Sequence, residues 1–157
     1  MSTERGEAPA KIQVSGFNYS RCDELAAIPI AGDAIAPADA RLVLEQEGIA
    51  VVPMTAAVQA VEGLGPVYQL EAGGNPAVPT GRVFVRLQEG RPASERRRDF
   101  VQAGYVVESI PAWAPHTAWL RPATGGIVAA LHGLERLRAL AGVEHVEPQL
   151  LRQRTTR

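Results

Sequence analysis

A single cysteine, Cys22, among 157 residues excludes an intrachain disulfide, so no oxidative staple holds this fold. Long apolar runs are also missing: no stretch approaches the ~18 continuous residues of a membrane span. The first ten residues carry acids and no apolar run, which is not a secretory signal. Residence in the cytoplasm is the default expectation, and an extracellular one follows if a leader has been removed. An excess of one charge is absent as well, with 16 Lys+Arg against 17 Asp+Glu for a net of −1. That balance does not suit a dedicated nucleic-acid or membrane-surface binder, so neither is expected as a partner. Aromatics are scarce at 5%, whereas 15 Gly and 12 Pro imply many turns and short elements.

Catalytic and cofactor patterns are equally thin. His116, His132 and His145 show no His-x-x-x-His spacing and no cysteine pair, so neither metal nor cofactor is expected. No Gly-x-Ser-x-Gly elbow is present, and nothing ties Ser94 or Ser109 to a histidine. Cys22 has a cationic neighbour in Arg21, yet no nearby histidine completes a nucleophilic pair. Gly125-Gly126 lacks the continuation that cradles phosphate and reads as a tight turn into a helix. Arg96-Arg97-Arg98 reads as a solvated helix face. An RNA platform needs exposed strand aromatics, and Phe84 alone offers itself on its strand. The protein is not expected to be an enzyme.

The pattern along the chain suggests two parts. Residues 1–10 look like a flexible terminus. Residues 11–71 read as a small α/β subdomain. A short strand is expected around Ile12, Val14 and Phe17, and a helical turn over residues 20–27. A helix then starts at Pro37 and runs through Leu42, Val43, Leu44 and Gln46 to a stop at Gly48. A strand over residues 49–53, a short helix capped by Thr55 and a strand over residues 67–70 follow. Residues 72–81, with three glycines and two prolines, read as a linker.

Residues 82–149 are more regular. Val83, Val85 and Leu87 alternate as in a half-buried strand. A helix from Pro92 to Gly104 follows, then strands over residues 105–110 and 117–121. A helix over residues 127–141 carries an apolar stripe of Ile127, Ala130, Leu131, Leu134 and Leu137. A last strand spans residues 143–147. The fold class expected is therefore α+β: a ferredoxin-like βαββαβ antiparallel sheet with helices on one face. Trp119 alternates with Ala118 and Leu120, so it should stand on the uncovered face, against a partner or against the N-terminal part. Residues 150–157 read as an extended polar tail.

Over about 70 residues, four phrases in order carry a family resemblance. They are Val83-Phe-Val-Arg-Leu87, Gly104-Tyr-Val-Val-Glu-Ser-Ile-Pro111, Ala114-Pro-His-Thr-Ala-Trp-Leu120 and Leu137-Arg-Ala-Leu-Ala-Gly-Val-Glu-His-Val-Glu-Pro148. Together, over residues 81–152, they resemble the propeptide and inhibitor domains of subtilisin-like serine proteases. Residues 37–70 resemble, more loosely, the extended N-terminal region of a large bacterial subtilase.

The resemblance implies a partner, a subtilisin-like serine protease bound in cis or in trans, which the domain inhibits and helps to fold. The helix-free sheet face, with Trp119, would dock on the enzyme. Glu147 would cap a helix of the enzyme; the second acid usual in the family is here Gln149. Leu150, Leu151, Arg152, Gln153, Arg154 and Thr155 would lie in the substrate cleft by strand addition. The alternatives are a ferredoxin-like small-molecule regulatory domain and a protein-interaction adaptor whose N-terminal half does the work.

Overall fold

The structure is a computed structural model that describes residues 8–30, 38–44, 46–61, 64–71 and 74–152. The chain forms two compact units: Met1–Pro79 with Leu150–Arg157, and Thr80–Gln149.

In the first unit, β1 (Lys11–Val14) and β2 (Phe17–Arg21) form a hairpin with Val14 opposite Phe17. Its two turn residues, Ser15 at φ 51° and Gly16 at φ 82°, both lie in the left-handed region. That is the geometry whose twist matches the flanking strands. β2 pairs with β6 (Tyr68–Leu70), and β6 pairs in turn with the start of β7 (Pro76–Leu87), Tyr68 opposite Ala77. A separate three-stranded sheet places β5 (Ile49–Pro53) between β3 (Leu25–Pro29) and β4 (Leu42–Leu44). The core gathers Leu25, Ala27, Leu42, Leu44, Val51, Val67 and Val78, with Cys22, Ile49 and Leu151 packed against it.

Several expectations for this unit are corrected. Within the helix expected from Pro37 to Gly48, Leu42–Leu44 are the strand β4 and residues 46–48 a turn into β5, while Pro37 and Glu45 lie outside the described residues. Leu42 and Leu44 are buried while Val43 is exposed, which is a period of two and not of 3.6. Gly48, at φ 69°, makes the turn and ends no helix. The helical turn expected over residues 20–27 is the end of β2 and most of β3. Thr55 does cap a helix, α1 (Ala56–Gln59), by accepting from the Val58 N–H at 3.2 Å. Within the expected flexible terminus, the Ala8 carbonyl accepts from Arg21 and the Pro9 carbonyl accepts from the Tyr68 hydroxyl at 2.6 Å. Residues 76–81, expected as linker, are the first half of β7.

The second unit runs through the rest of β7, a 3-10 turn (Ala93–Arg96), α2 (Arg97–Gln102), β8 (Tyr105–Ser109) and β9 (Thr117–Pro122). It ends with α3 (Ile127–His132), α4 (Leu134–Arg138) and most of β10 (Val143–Arg152). β9 lies between β8 and β7, with Val83 opposite Leu120 and Phe84 opposite Trp119, and β10 pairs with β7. Val83, Val85, Leu87, Phe100, Ala118, Leu120 and Leu137 are fully buried. At about 25 cal/mol per Å², side chains of this kind supply most of the unit's stability.

The helix expected over residues 127–141 is broken at Gly133 into α3 and α4. Tyr105 packs against this point: its hydroxyl donates to the Ala130 carbonyl and its Cε1 lies 2.8 Å from where a Cβ on residue 133 would stand.

The ferredoxin-like α+β expectation is overturned for the chain as a whole, which is mainly β. β7 is a twelve-residue strand whose first residues pair with β6, so its sheet does not stop at four strands. The expected α/β subdomain is built of strands, with one four-residue helix among its described residues. Sequence periodicity missed this because proline-rich residues 76–81 carry no alternation of their own. Pro76 and Ala77 are held as strand by pairing to Gln69 and Tyr68 of the preceding strand β6, and β10 also pairs with β7.

Candidate functional site

Alternation along the strands of the second unit sorts side chains onto two faces. Val83, Val85 and Leu87 point inward from β7, so Thr80, Arg82, Phe84 and Arg86 point outward. On β9, Ala118 and Leu120 are fully buried and Trp119 stands on the opposite side. On β10, Val146 is buried while His145, Glu147 and Gln149 alternate with it.

The outward set forms a row of rings across three strands. Phe84 and Trp119 are direct cross-strand partners, their centroids 5.3 Å apart in an edge-to-face arrangement. On the other side of Phe84, the His145 ring lies 6.5 Å away. Arg82 lays its guanidinium 4.4 Å from the Trp119 centroid, a cation–π contact. The same guanidinium reaches Glu108 at 2.7 Å, close but off the direction of a hydrogen bond, so the contact is ionic.

Several other charges on this face are also compensated, although Arg121, outward and exposed on β9, has no ion-pair partner among the described residues. His145 Nε2 and Glu147 Oε2 are 2.8 Å apart, and Arg86 approaches Glu144 at 3.8 Å. Thr80 donates its hydroxyl to the Gln149 side-chain oxygen at 2.8 Å and accepts from the Arg82 N–H at 3.1 Å. These side chains are partly exposed, so each ion pair contributes little stability, at most ~1 kcal/mol. Their effect is geometric: they fix Arg82 and His145 beside the aromatic pair.

Such an arrangement can bind by desolvation and shape, since rigid aromatic anchors ringed by satisfied polar groups are the composition of binding hot spots. No group of three or more potential metal ligands occurs among the described residues. No described helix is long and apolar enough to cross a membrane.

The residues expected to contact a protease divide between the two units. Trp119 is on the open face with Glu147 and Gln149. Glu147 engages His145, and Gln149 engages Thr80. Leu150, Leu151 and Arg152 belong to the first unit as the end of β10. Leu151 packs against that unit's core, and Arg152 donates to the Tyr19 hydroxyl at 3.0 Å. The expected free tail is thus corrected for these three residues, because Leu151 gains an apolar surface that an extended tail would leave in water. Gln153, Arg154 and Thr155 lie outside the described residues.

Sequence reasoning missed Arg82, Glu108 and His145 as members of the face. The outward register of Arg82 was present in the alternation with Val83. The meeting of β7 with β10, which brings His145 to Phe84, left no local signal.

Compared with known proteins, the chain matches no family model, no curated protein and no solved structure.

Proposed function

We propose that the protein binds a subtilisin-like serine protease as a propeptide-type inhibitor and folding assistant, and that it docks through the open face of the second unit. The observation that supports this most is the row Trp119–Phe84–His145 with Arg82 stacked on Trp119, a preformed aromatic anchor. The phrases over residues 81–152 that resemble protease propeptides supply the partner class. Folding assistance follows by linkage, since a ligand that binds only the native enzyme stabilises it by mass action. Cleft occupancy by Leu150, Leu151 and Arg152 is not part of the proposal, because β10 holds them in the first unit.

The test is inhibition of subtilisin-type proteases by the full chain, measured with a peptide substrate. Inhibition should weaken about 10- to 100-fold in Phe84→Ala and in Trp119→Ala, the range for hot-spot truncation. Circular dichroism checks that each variant is folded. A full chain that neither inhibits nor accelerates refolding of any such protease overturns the proposal.

A further inference from the structure

Trp113 is the most exposed large apolar side chain described, at 87%. It lies on the turn between β8 and β9, where residues 110–115 read Ile-Pro-Ala-Trp-Ala-Pro without a charge. The turn is nevertheless stiff. The Ala114 N–H donates to the Pro111 carbonyl at 3.1 Å, closing the turn around Trp113. Thr117 clamps its far side, giving both its N–H, at 3.0 Å, and its hydroxyl, at 2.8 Å, to the Ala114 carbonyl. Two prolines restrict the remaining backbone freedom. An indole held in water on a preorganised turn contributes nothing to the fold, yet loses little conformational entropy when a partner buries it.

A second feature adjoins it. The Ala93 N–H donates to the Pro115 carbonyl at 2.8 Å, which ties the turn to the start of the 3-10 segment. Arg91, Arg97 and Arg98 flank that segment and are exposed, and none has an ion-pair partner among the described residues. Arg96 is neutralised by Asp99 at 2.5 Å, and Glu95 is the exposed acid among them, so the segment keeps an excess of positive charge. Arg97 opens α2 directly after the 3-10 segment that Ala93 begins.

We infer that Trp113 is a second docking anchor, which enters an apolar pocket with a carboxylate-lined rim on the protein partner, while Arg91, Arg97 and Arg98 meet that rim. This rests on the protease-docking reading and adds to it a contact outside the sheet face. Uncompensated arginines beside an uncharged aromatic tip complement such a pocket, and a basic pocket would repel them.

The test uses the full chain and a subtilisin-type protease that it inhibits. Trp113→Ala should raise the inhibition constant at least 10-fold. Arg97→Glu with Arg98→Glu should slow association several-fold at low salt, and the difference should shrink in high salt. In the wild-type chain labelled with fluorotryptophan, the 19F resonance that Trp113→Phe removes should shift at saturating unlabelled protease. An unchanged constant for Trp113→Ala, or an unmoved Trp113 resonance while the wild type still inhibits, overturns the anchor and leaves the docking proposal standing. A wild-type chain that inhibits no protease overturns both.

Discussion

Replacing Gly133 by alanine sets two physical effects against each other. Gly133 sits between α3 and α4 at φ −84° and ψ −5°, a conformation open to any L-residue. Alanine there restricts the unfolded chain and should stabilise by about 0.4–1 kcal/mol if nothing else changes. The structure puts the new methyl 2.8 Å from Tyr105 Cε1 and 2.9 Å from Cζ, well inside contact distance. Tyr105 is 1% exposed and its hydroxyl is committed to the Ala130 carbonyl, so the ring cannot swing toward water without losing that bond. Overpacking costs about 1–3 kcal/mol, and a weakened buried hydrogen bond adds about 1. The clash should win, leaving Gly133→Ala less stable by roughly 1–3 kcal/mol in urea unfolding. In a Tyr105→Leu background the obstacle is gone, and the same substitution should be neutral or mildly stabilising. A Gly133→Ala protein as stable as the wild type, or more so, would refute the argument that Tyr105 leaves no room for a side chain at residue 133.

Other outcomes follow from the same contacts. Burial pushes the phenols of Tyr68 and Tyr105 up to about 12, against weaker opposing effects of Arg21 and Arg136. With the folded pKa raised, their contribution is complete below pH ~10 and is lost as pH climbs from about 10 through 12. Unfolding free energy should fall across that window by about 2–3 kcal/mol per tyrosine, and Tyr68→Phe with Tyr105→Phe should flatten the fall. Leu151→Ala should cost about 1–2 kcal/mol, the low end for a partly buried leucine, and should speed amide exchange at residues 150–152. If β4 is a strand, Val43→Lys should change stability by less than about 0.5 kcal/mol, whereas Leu44→Lys should cost several, as urea unfolding would show.

Legibility of the fold in the sequence depended on how local the determining contacts were. Val83, Val85 and Leu87 alternate within one strand, and the orientation of Trp119 could be read from Ala118 and Leu120. Leu42-Val43-Leu44 is too short to separate a period of two from a helical face, and Pro37 and Gly48 bracket it as they would a helix. The apolar stripe from Ile127 to Leu137 is genuine, but the close packing of the Tyr105 ring on Gly133 leaves no mark on that stripe. Within residues 76–81, Pro76 and Ala77 pair with β6, and β10 also pairs with β7, contacts that the proline-rich sequence does not announce. The candidate face was legible as to Trp119, whereas Arg82 with Glu108 and Phe84 with His145 depend on strand pairings that no local pattern encodes. The fate of residues 150–152 was hidden for the same reason: Leu151 packs against a core cluster built of first-unit residues far away in sequence.

The most direct measurement is calorimetric titration of the full chain into a subtilisin-type protease, repeated with a Phe84→Ala, Trp119→Ala double variant that circular dichroism shows to be folded. The account predicts saturable binding by the wild type and a Kd raised about 100-fold or more in the double variant. Equal affinity of the two proteins, or no binding by the wild type, would contradict it.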